Sequence, residues 1–304
     1  MKTHSGFESS HSRVGAKPNQ EHLSTVTTNL STSDPLGLGD SSVPVKSSEL
    51  IVEDYDFLQI IGQGAFGTVF KAVCKATGEG VAIKYIKGSR EGLREAQNMI
   101  RVPQHPNIVK LIAVYLSDEA LFLVQELCSI SLLDAAANMS PQDITSVLHQ
   151  LAVVLDALHA RCIIHRDIKP ENVMLIQDGT KLKVKLIDFG LAAFDSTVGP
   201  NVRPAGTDLF MAPEMIRGTY DNKVDMWSLG ITACFLLCGE SPISSALESR
   251  RLYEQILSLD PSTIRFKKCF GESLVSIVKS LLNQDPHLRP NATVLLNQLS
   301  PMVN

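Results

Sequence analysis

The run His165-Arg166-Asp167-Ile168-Lys169-Pro170-Glu171-Asn172 places a carboxylate, a cation and a neutral amide within six positions, directly after the apolar residues 162–164. A carboxylate there can orient a hydroxyl and accept its proton, a lysine can offset charge on a transferring phosphoryl group, and an amide oxygen can bind a hard cation. Asp167, Lys169 and Asn172 are the candidates for these three tasks. Asp188-Phe189-Gly190 follows a strand pattern over 181–187. A carboxylate at a strand end, freed by a following glycine, suits a magnesium ion that bridges phosphates.

Upstream, Gly62-Gln63-Gly64-Ala65-Phe66-Gly67-Thr68-Val69 is a glycine-rich turn. Without side chains in the way, its backbone N–H groups can lie over phosphates. The pattern alone is also that of a plain tight turn or of a dinucleotide-binding loop. A second strand follows it rather than a helix, which argues against the latter. Val81-Ala82-Ile83-Lys84 then ends an apolar strand on a lysine, which is costly to bury unless paired. Glu95, on a short helix over 93–101, is the expected partner, with Glu91 as the alternative. The pair would hold the ammonium on the α- and β-phosphates.

These residues need a strand-rich part followed by a helix-rich part. Residues 68–73 and 81–86 read as strands, joined through Thr77-Gly78-Glu79-Gly80 as a hairpin. After about residue 130 a helical period takes over. Ser140-Pro141 opens a helix with a capping serine and a proline at the first position. Ile144, Val147, Leu148, Leu151, Val154, Leu155 and Leu158 form its apolar stripe. A second helix, from about Asp221, is apolar nearly all round between 226 and 237, the mark of a buried helix, and Gly239 can end it. Gly92 weakens the helix that carries Glu95 by about 1 kcal/mol relative to alanine.

The bulk properties set wider bounds. The chain has 304 residues and a net charge of −4, without the basic excess of a nucleic-acid binder. Six cysteines form no C-x-x-C pair and read as reduced structural thiols in apolar surroundings. The longest apolar stretch, 229–238, is too short to span a bilayer, and no signal-peptide core is visible. The expectation is a soluble protein of the cytoplasm, the nucleus remaining open. Residues 1–50, rich in Ser, Thr, Asn, Pro and Gly, are expected to be a disordered tail in which His4, His11 and His22 are solvated. No internal repeat is seen.

In this order and spacing the motifs resemble the eukaryotic protein kinase superfamily, in its serine/threonine branch, over about residues 54–300. Ala212-Pro213-Glu214 is similar to the end of the family's activation segment. Arg289 matches the arginine that pairs with that glutamate, and Asp225 the buried aspartate that braces the catalytic loop. The resemblance implies an α+β, bilobal fold with a small β-rich N-lobe and a larger α-helical C-lobe. It implies transfer of the γ-phosphoryl group of ATP, with Mg2+, to a Ser or Thr hydroxyl of a protein substrate. Asp167, Lys169, Lys84 and Glu95 are then catalytic, and Asn172 and Asp188 hold metal. ATP would meet Ile61, Gly62, Gln63, Gly64, Ala65, Phe66, Gly67, Val69, Ala82, Lys84, Gln125, Glu126, Cys128 and Met174. Gln125 takes the gatekeeper position before the hinge, and Met99, Leu111, His165 and Phe189 match the regulatory spine.

Lys169 and Thr207 look like Ser/Thr kinases, and Met211 differs from the arginine usual in the proline-directed branch. Two features depart from the family. The segment between Lys84 and Glu95 is short, which trims the front of the αC helix. Ala193 stands where many phosphorylation-activated members carry a basic residue, leaving Arg166 to meet a phosphate on Ser196 or Thr197. An activating kinase or a partner that braces αC is therefore expected. Two other readings compete. A pseudokinase scaffold would have lost Lys84, Asp167, Asn172 or Asp188, and a small-molecule kinase would have degraded Ala212-Pro213-Glu214; all are present.

Overall fold

Two layers of strands and helices separate along the chain as the change of hydrophobic period predicts. The computed structural model describes residues 42–64, 67–87, 90–179, 181–194, 197–198, 206–267 and 269–303, with backbone only for 90, 91, 197 and 198. The N-lobe is a six-stranded sheet of β1 (Val45–Ser47), β2 (Tyr55–Gly64), β3 (Gly67–Cys74), β4 (Gly80–Lys87), β5 (Leu111–Leu116) and β6 (Ala120–Glu126). Their order is β1-β5-β6-β4-β3-β2. The hairpin between β3 and β4 turns at Gly78, whose φ of 74° is open to glycine and costly for most residues. Its amide donates to the Cys74 carbonyl at 2.8 Å.

Helix α1 (Ile51–Asp54) precedes β2, and α2 (Arg90–Arg101) crosses behind the sheet. Gly92 has a packing reason: a Cβ there would lie 2.9 Å from Ile86 Cγ2 and 3.5 Å from Leu121. The glycine that weakens α2 as a helix is what lets it sit close against β4 and β6.

The C-lobe begins with β7 (Ile130–Ser131), α3 (Leu132–Ala135) and α4 (Pro141–His159). Ser140 and Asp143 form a reciprocal capping box at the start of α4, and all seven residues of the predicted stripe are buried. A three-stranded sheet joins β7 to β8 (Val173–Asp178) and β9 (Lys181–Leu186). β10 (Thr197–Val198) pairs antiparallel with β11 (Tyr220–Asp221), after α5 (Pro213–Arg217). α6 (Lys223–Cys238) is buried on nearly every side and ends at Gly239, as its composition predicts. α7 (Ser249–Ser258), α8 (Glu272–Leu281) and α9 (Ala292–Leu299) complete the lobe. Among the described residues no helix is long and apolar enough to cross a membrane. Cys162 and Cys269 are exposed, so the thiols do not all sit in apolar surroundings.

The lobes are joined by the chain after β6 and also by the loop before β5. The Leu186 amide donates to the Asn107 carbonyl at 2.8 Å, and the Val109 amide to the Leu186 carbonyl at 3.0 Å. The Asn107 side chain donates to the Val184 carbonyl and to Gln150 of α4. The buried Lys185 of β9 meets Glu126, at the end of β6, at 2.6 Å.

The expected tail of residues 1–50 is corrected at its C-terminal end. Residues 1–41 lie outside the described residues. Beyond them, β1 runs parallel to β5, pairing Val45 with Val114 and Ser47 with Leu116. The Val114 amide also donates to the Pro44 carbonyl at 2.9 Å. Ile51 is fully buried in the N-lobe core. Asp54 receives Lys46 at 2.6 Å and the Tyr115 hydroxyl. Composition averaged over fifty residues hid this strap, because its hold is largely backbone pairing plus one anchoring isoleucine. A chain lacking residues 1–54 should melt about 5–10 °C below one lacking residues 1–41, as losing Ile51 burial and β1 removes about 2–3 kcal/mol. Differential scanning calorimetry of the two chains checks this, and equal melting temperatures would contradict it.

Candidate active site

Strand β4 delivers Lys84 to the cleft, directly across from Val69 of β3 and Leu123 of β6. Its ammonium meets both carboxylate oxygens of Glu95, at 2.7 and 2.8 Å, and lies 3.7 Å from Asp188. The shortened α2 therefore still presents Glu95, as the sequence predicts; the Glu91 side chain lies outside the described residues. Burial pushes the Glu95 carboxyl up to about 7, against the pull of Lys84 and with the nearby Asp188 carboxylate adding to the rise.

The catalytic-loop candidates converge on Asp167. Lys169 lies 2.8 Å from Asp167 Oδ2, and the Asn172 amide nitrogen donates to the same oxygen at 2.7 Å. The Thr207 amide and hydroxyl donate to Oδ1 at 3.0 and 2.9 Å. Lys169 donates in turn to the Thr207 hydroxyl at 2.5 Å. Burial works to raise the Asp167 carboxyl, but the Lys169 ammonium and the Thr207 hydroxyl outweigh it and hold it below the usual carboxylate range. Thr207 reaches this place because Gly206, at φ 115°, packs against the loop. A Cβ there would stand 2.4 Å from the Arg166 carbonyl oxygen.

Two buried anchors position these loops. Asp225 accepts the amides of His165 and Arg166 at 2.9 and 2.8 Å, and His159 of α4 lies 2.9 Å away. Arg289 grips Glu214 with two hydrogen bonds, at 2.6 and 3.1 Å, and stacks on Trp227. Asp188 sits at φ 63°, its carboxylate receiving the Gly190 amide at 3.1 Å. Phe189 is fully buried and meets the His165 ring edge-on at 4.9 Å.

The adenine-side candidates line up across the sheet and hinge. Ala82 pairs with Gln125, and Met174 of β8 pairs with Ser131 of β7; Val69, Ala82 and Met174 are all partly exposed. Gln125 donates to the Met99 sulfur at 3.0 Å. The Glu126 side chain turns to Lys185 and to the Lys110 amide, and its own amide donates to the Lys110 carbonyl at 3.1 Å. Burial and the Glu126 charge push the Cys128 thiol up to about 12. In the glycine turn Gly62 pairs with Val69, Gln63 with Thr68 and Gly64 with Gly67. A register shift leaves Ile61 out of the ladder and half exposed. Ala65 and Phe66 lie outside the described residues.

The protein kinase domain model matches residues 55–299. The chain belongs to the protein kinase family. Among similar proteins, mouse (Mus musculus) serine/threonine-protein kinase 33 is 33% identical over 271 residues, 81% of this chain and 54% of that protein. Serine/threonine-protein kinase TIO of Arabidopsis thaliana is 32% identical over 249 residues, 78% of this chain and 18% of that protein. Human (Homo sapiens) serine/threonine-protein kinase DCLK2 is 32% identical over 250 residues, 78% and 32% of the two chains. The chain thus spans about half the length of these relatives or less.

Within the kinase domain, several residues that hold the site were missed by sequence reasoning. Tyr220 accepts from the Arg166 guanidinium through its hydroxyl oxygen at 3.1 Å, and Arg166 also donates to the Leu191 carbonyl at 2.6 Å. The guanidinium expected to await a phosphate is thus engaged within the domain. Ser196 lies outside the described residues, and of Thr197 only the backbone pairing with Asp221 is described. Asn98 of α2 and His159 of α4 were also passed over. Both lie at the helical spacing that turns a polar residue inward, a signal visible only once the buried faces of α2 and α4 are known.

Glu95 makes a pH prediction. Between its ordinary value of 4.5 and about 7, the folded chain keeps a proton that the unfolded chain releases. Its contribution to stability therefore falls as pH rises through that window, while the ionised pair with Lys84 forms. Urea titrations of the native chain and Glu95→Gln should diverge between pH 5 and about 7, the variant lacking this slope. Parallel pH profiles would contradict the shift.

Proposed function

We propose that the chain is an ATP-dependent protein kinase that phosphorylates serine or threonine in protein substrates, with Mg2+ as the metal. The observation that carries the reading is Asp167, held by Lys169, Asn172 and Thr207 with its carboxyl ionised. An acceptor hydroxyl could be oriented by this carboxylate and release its proton to it, beside the Lys169 ammonium that offsets charge on the moving phosphoryl group. Lys84, fixed by Glu95, would hold the α- and β-phosphates. The intact Lys84–Glu95 pair and the assembled loop favour an active enzyme over a scaffold. The Lys169–Thr207 contact supports a Ser/Thr acceptor, and the three relatives above carry that activity in their names.

The donor chemistry fits a hard cation. Asp188 supplies carboxylate oxygen, and the Asn172 amide nitrogen is turned to Asp167, so its oxygen is the group that can face an ion. These two residues would hold Mg2+, whose charge would offset that of the phosphates. Six free thiols fit a reducing compartment such as the cytoplasm. The engaged Arg166 favours an activation segment ordered by the chain or by a partner over one that requires phosphate at Ser196 or Thr197.

Asp167→Asn should lower kcat by roughly 10²–10⁴-fold, the contribution of a positioned base, and change the dissociation constant for nucleotide by less than about threefold. Stopped assays on Ser/Thr peptides with equilibrium nucleotide binding check this; more than about a tenth of native kcat would overturn the role. Excess chelator should stop turnover and Mg2+ should restore it in the native chain, whereas Asp188→Ala should stay inactive at millimolar Mg2+. Undiminished turnover in either case would count against the metal assignment.

A further inference from the structure

Asn98 is buried on α2, one turn beyond Glu95. A buried amide is unfavourable unless its hydrogen bonds are made. Its nitrogen donates to the Phe189 carbonyl at 2.7 Å and reaches the Ala192 carbonyl at 3.4 Å. We infer that Asn98 is a positioning residue for phosphoryl transfer, latching the segment 188–192 to α2 so that Asp188 stays beside Lys84. This inference rests on the kinase reading proposed above.

The backbone of Asp188 shows why a latch is needed. Its φ of 63° is unfavourable for a residue with a Cβ, and such a conformation persists only where the surroundings over-determine it. On the C-lobe side, Ile187, just before Asp188, is held by its amide donating to the Asn172 carbonyl at 3.0 Å and by its carbonyl 3.1 Å from His165 Nε2. After Asp188, Arg166 holds the Leu191 carbonyl, and Ile164 and Ala193 exchange two backbone hydrogen bonds, contacts that begin three residues further on. Asn98 acts on the very next residue, Phe189, and it does so from the helix that also carries Glu95. One helical turn thus fixes both the partner of Lys84 and the peptide following Asp188. Gly190 faces the same turn of α2: a Cβ there would lie in van der Waals contact with Glu95 Oε2, at 3.6 Å. Arg101, one turn further along α2, extends the same contact by stacking on Phe194 at 4.0 Å. Movement of α2 is therefore transmitted to Asp188 through a hydrogen bond as well as through the shared lysine.

The test uses the full chain with Asn98→Ala, and Asn98→Gln, which keeps the donor on a longer stem. Asn98→Ala should lose about 10–100-fold in kcat with KM for ATP changed less than threefold, since the nucleotide contacts lie on other elements. Amide hydrogen exchange over residues 189–192 should quicken at least tenfold while α4 stays protected. Asn98→Gln should recover at least half of the lost activity on a logarithmic scale. Native-like kcat with unchanged exchange in Asn98→Ala would overturn the inference, and so would loss of protection throughout α4, which marks general destabilisation. Should Asn98→Ala fail to fold, Asn98→Leu, which fills the space without a donor, is read by the same two measurements. A native chain with no transferase activity would refute the kinase reading alone, because the exchange comparison still decides whether the latch exists.

Discussion

The loop over residues 165–172 depends on one fully buried carboxylate. Asp225 lies inside the C-lobe and accepts the amides of His165 and Arg166. Burial would raise its pKa, yet His159 beside it, the nearby His165 and the Arg166 amide hold it below the ordinary carboxylate range. A buried charge satisfied this way is costly to disturb: removing one partner of such a pair typically destabilises by about 3–5 kcal/mol. The two amides it holds turn the chain through Arg166 at φ 69°, a region that L-residues seldom occupy. That turn presents the Arg166 carbonyl to Gly206 and the Asp167 carboxylate to Thr207. Gly206 and Thr207 therefore close on the loop because Asp225 has bent it.

The cleft sorts its carboxylates by their neighbours rather than by depth. Glu95 and Asp167 are both buried, and burial alone would raise both. Asp167 receives an ammonium, two amides and a hydroxyl, which together stabilise the anion. Glu95 receives one ammonium and stands near a second acid, so its proton is held to about 7. The same apolar frame thus keeps one acid ionised and leaves the other responsive to pH.

Much of this was legible in the residues themselves. The β3–β4 hairpin, the α4 stripe with its Ser140 cap and the all-round apolar α6 follow from period and turn chemistry, because each is specified by residues close in sequence. The Lys84–Glu95 pair was legible from charge-burial logic across eleven positions. What escaped depends on distant partners. Nothing in Val45–Ser47 indicates that β5 will have a free edge for it, and nothing near Asn98 reveals a carbonyl ninety-one residues away. Gly92 reads locally as a defect and is understood only against Ile86 and Leu121.

The lobes are pinned at two separate lines, the strand leaving β6 and the loop bonded to β9 through Asn107, Leu186 and Val109. A body attached along one line can twist and slide as well as open. Attachment at two lines removes most of those freedoms and leaves rotation about the axis that joins them. Lys185, meeting Glu126 beside that axis, moves little as the lobes swing, so its buried charge need never be exposed to solvent and reburied. The cleft then behaves as a door with two hinge pins, its glycine-rich edge sweeping the widest arc and its inner wall almost none.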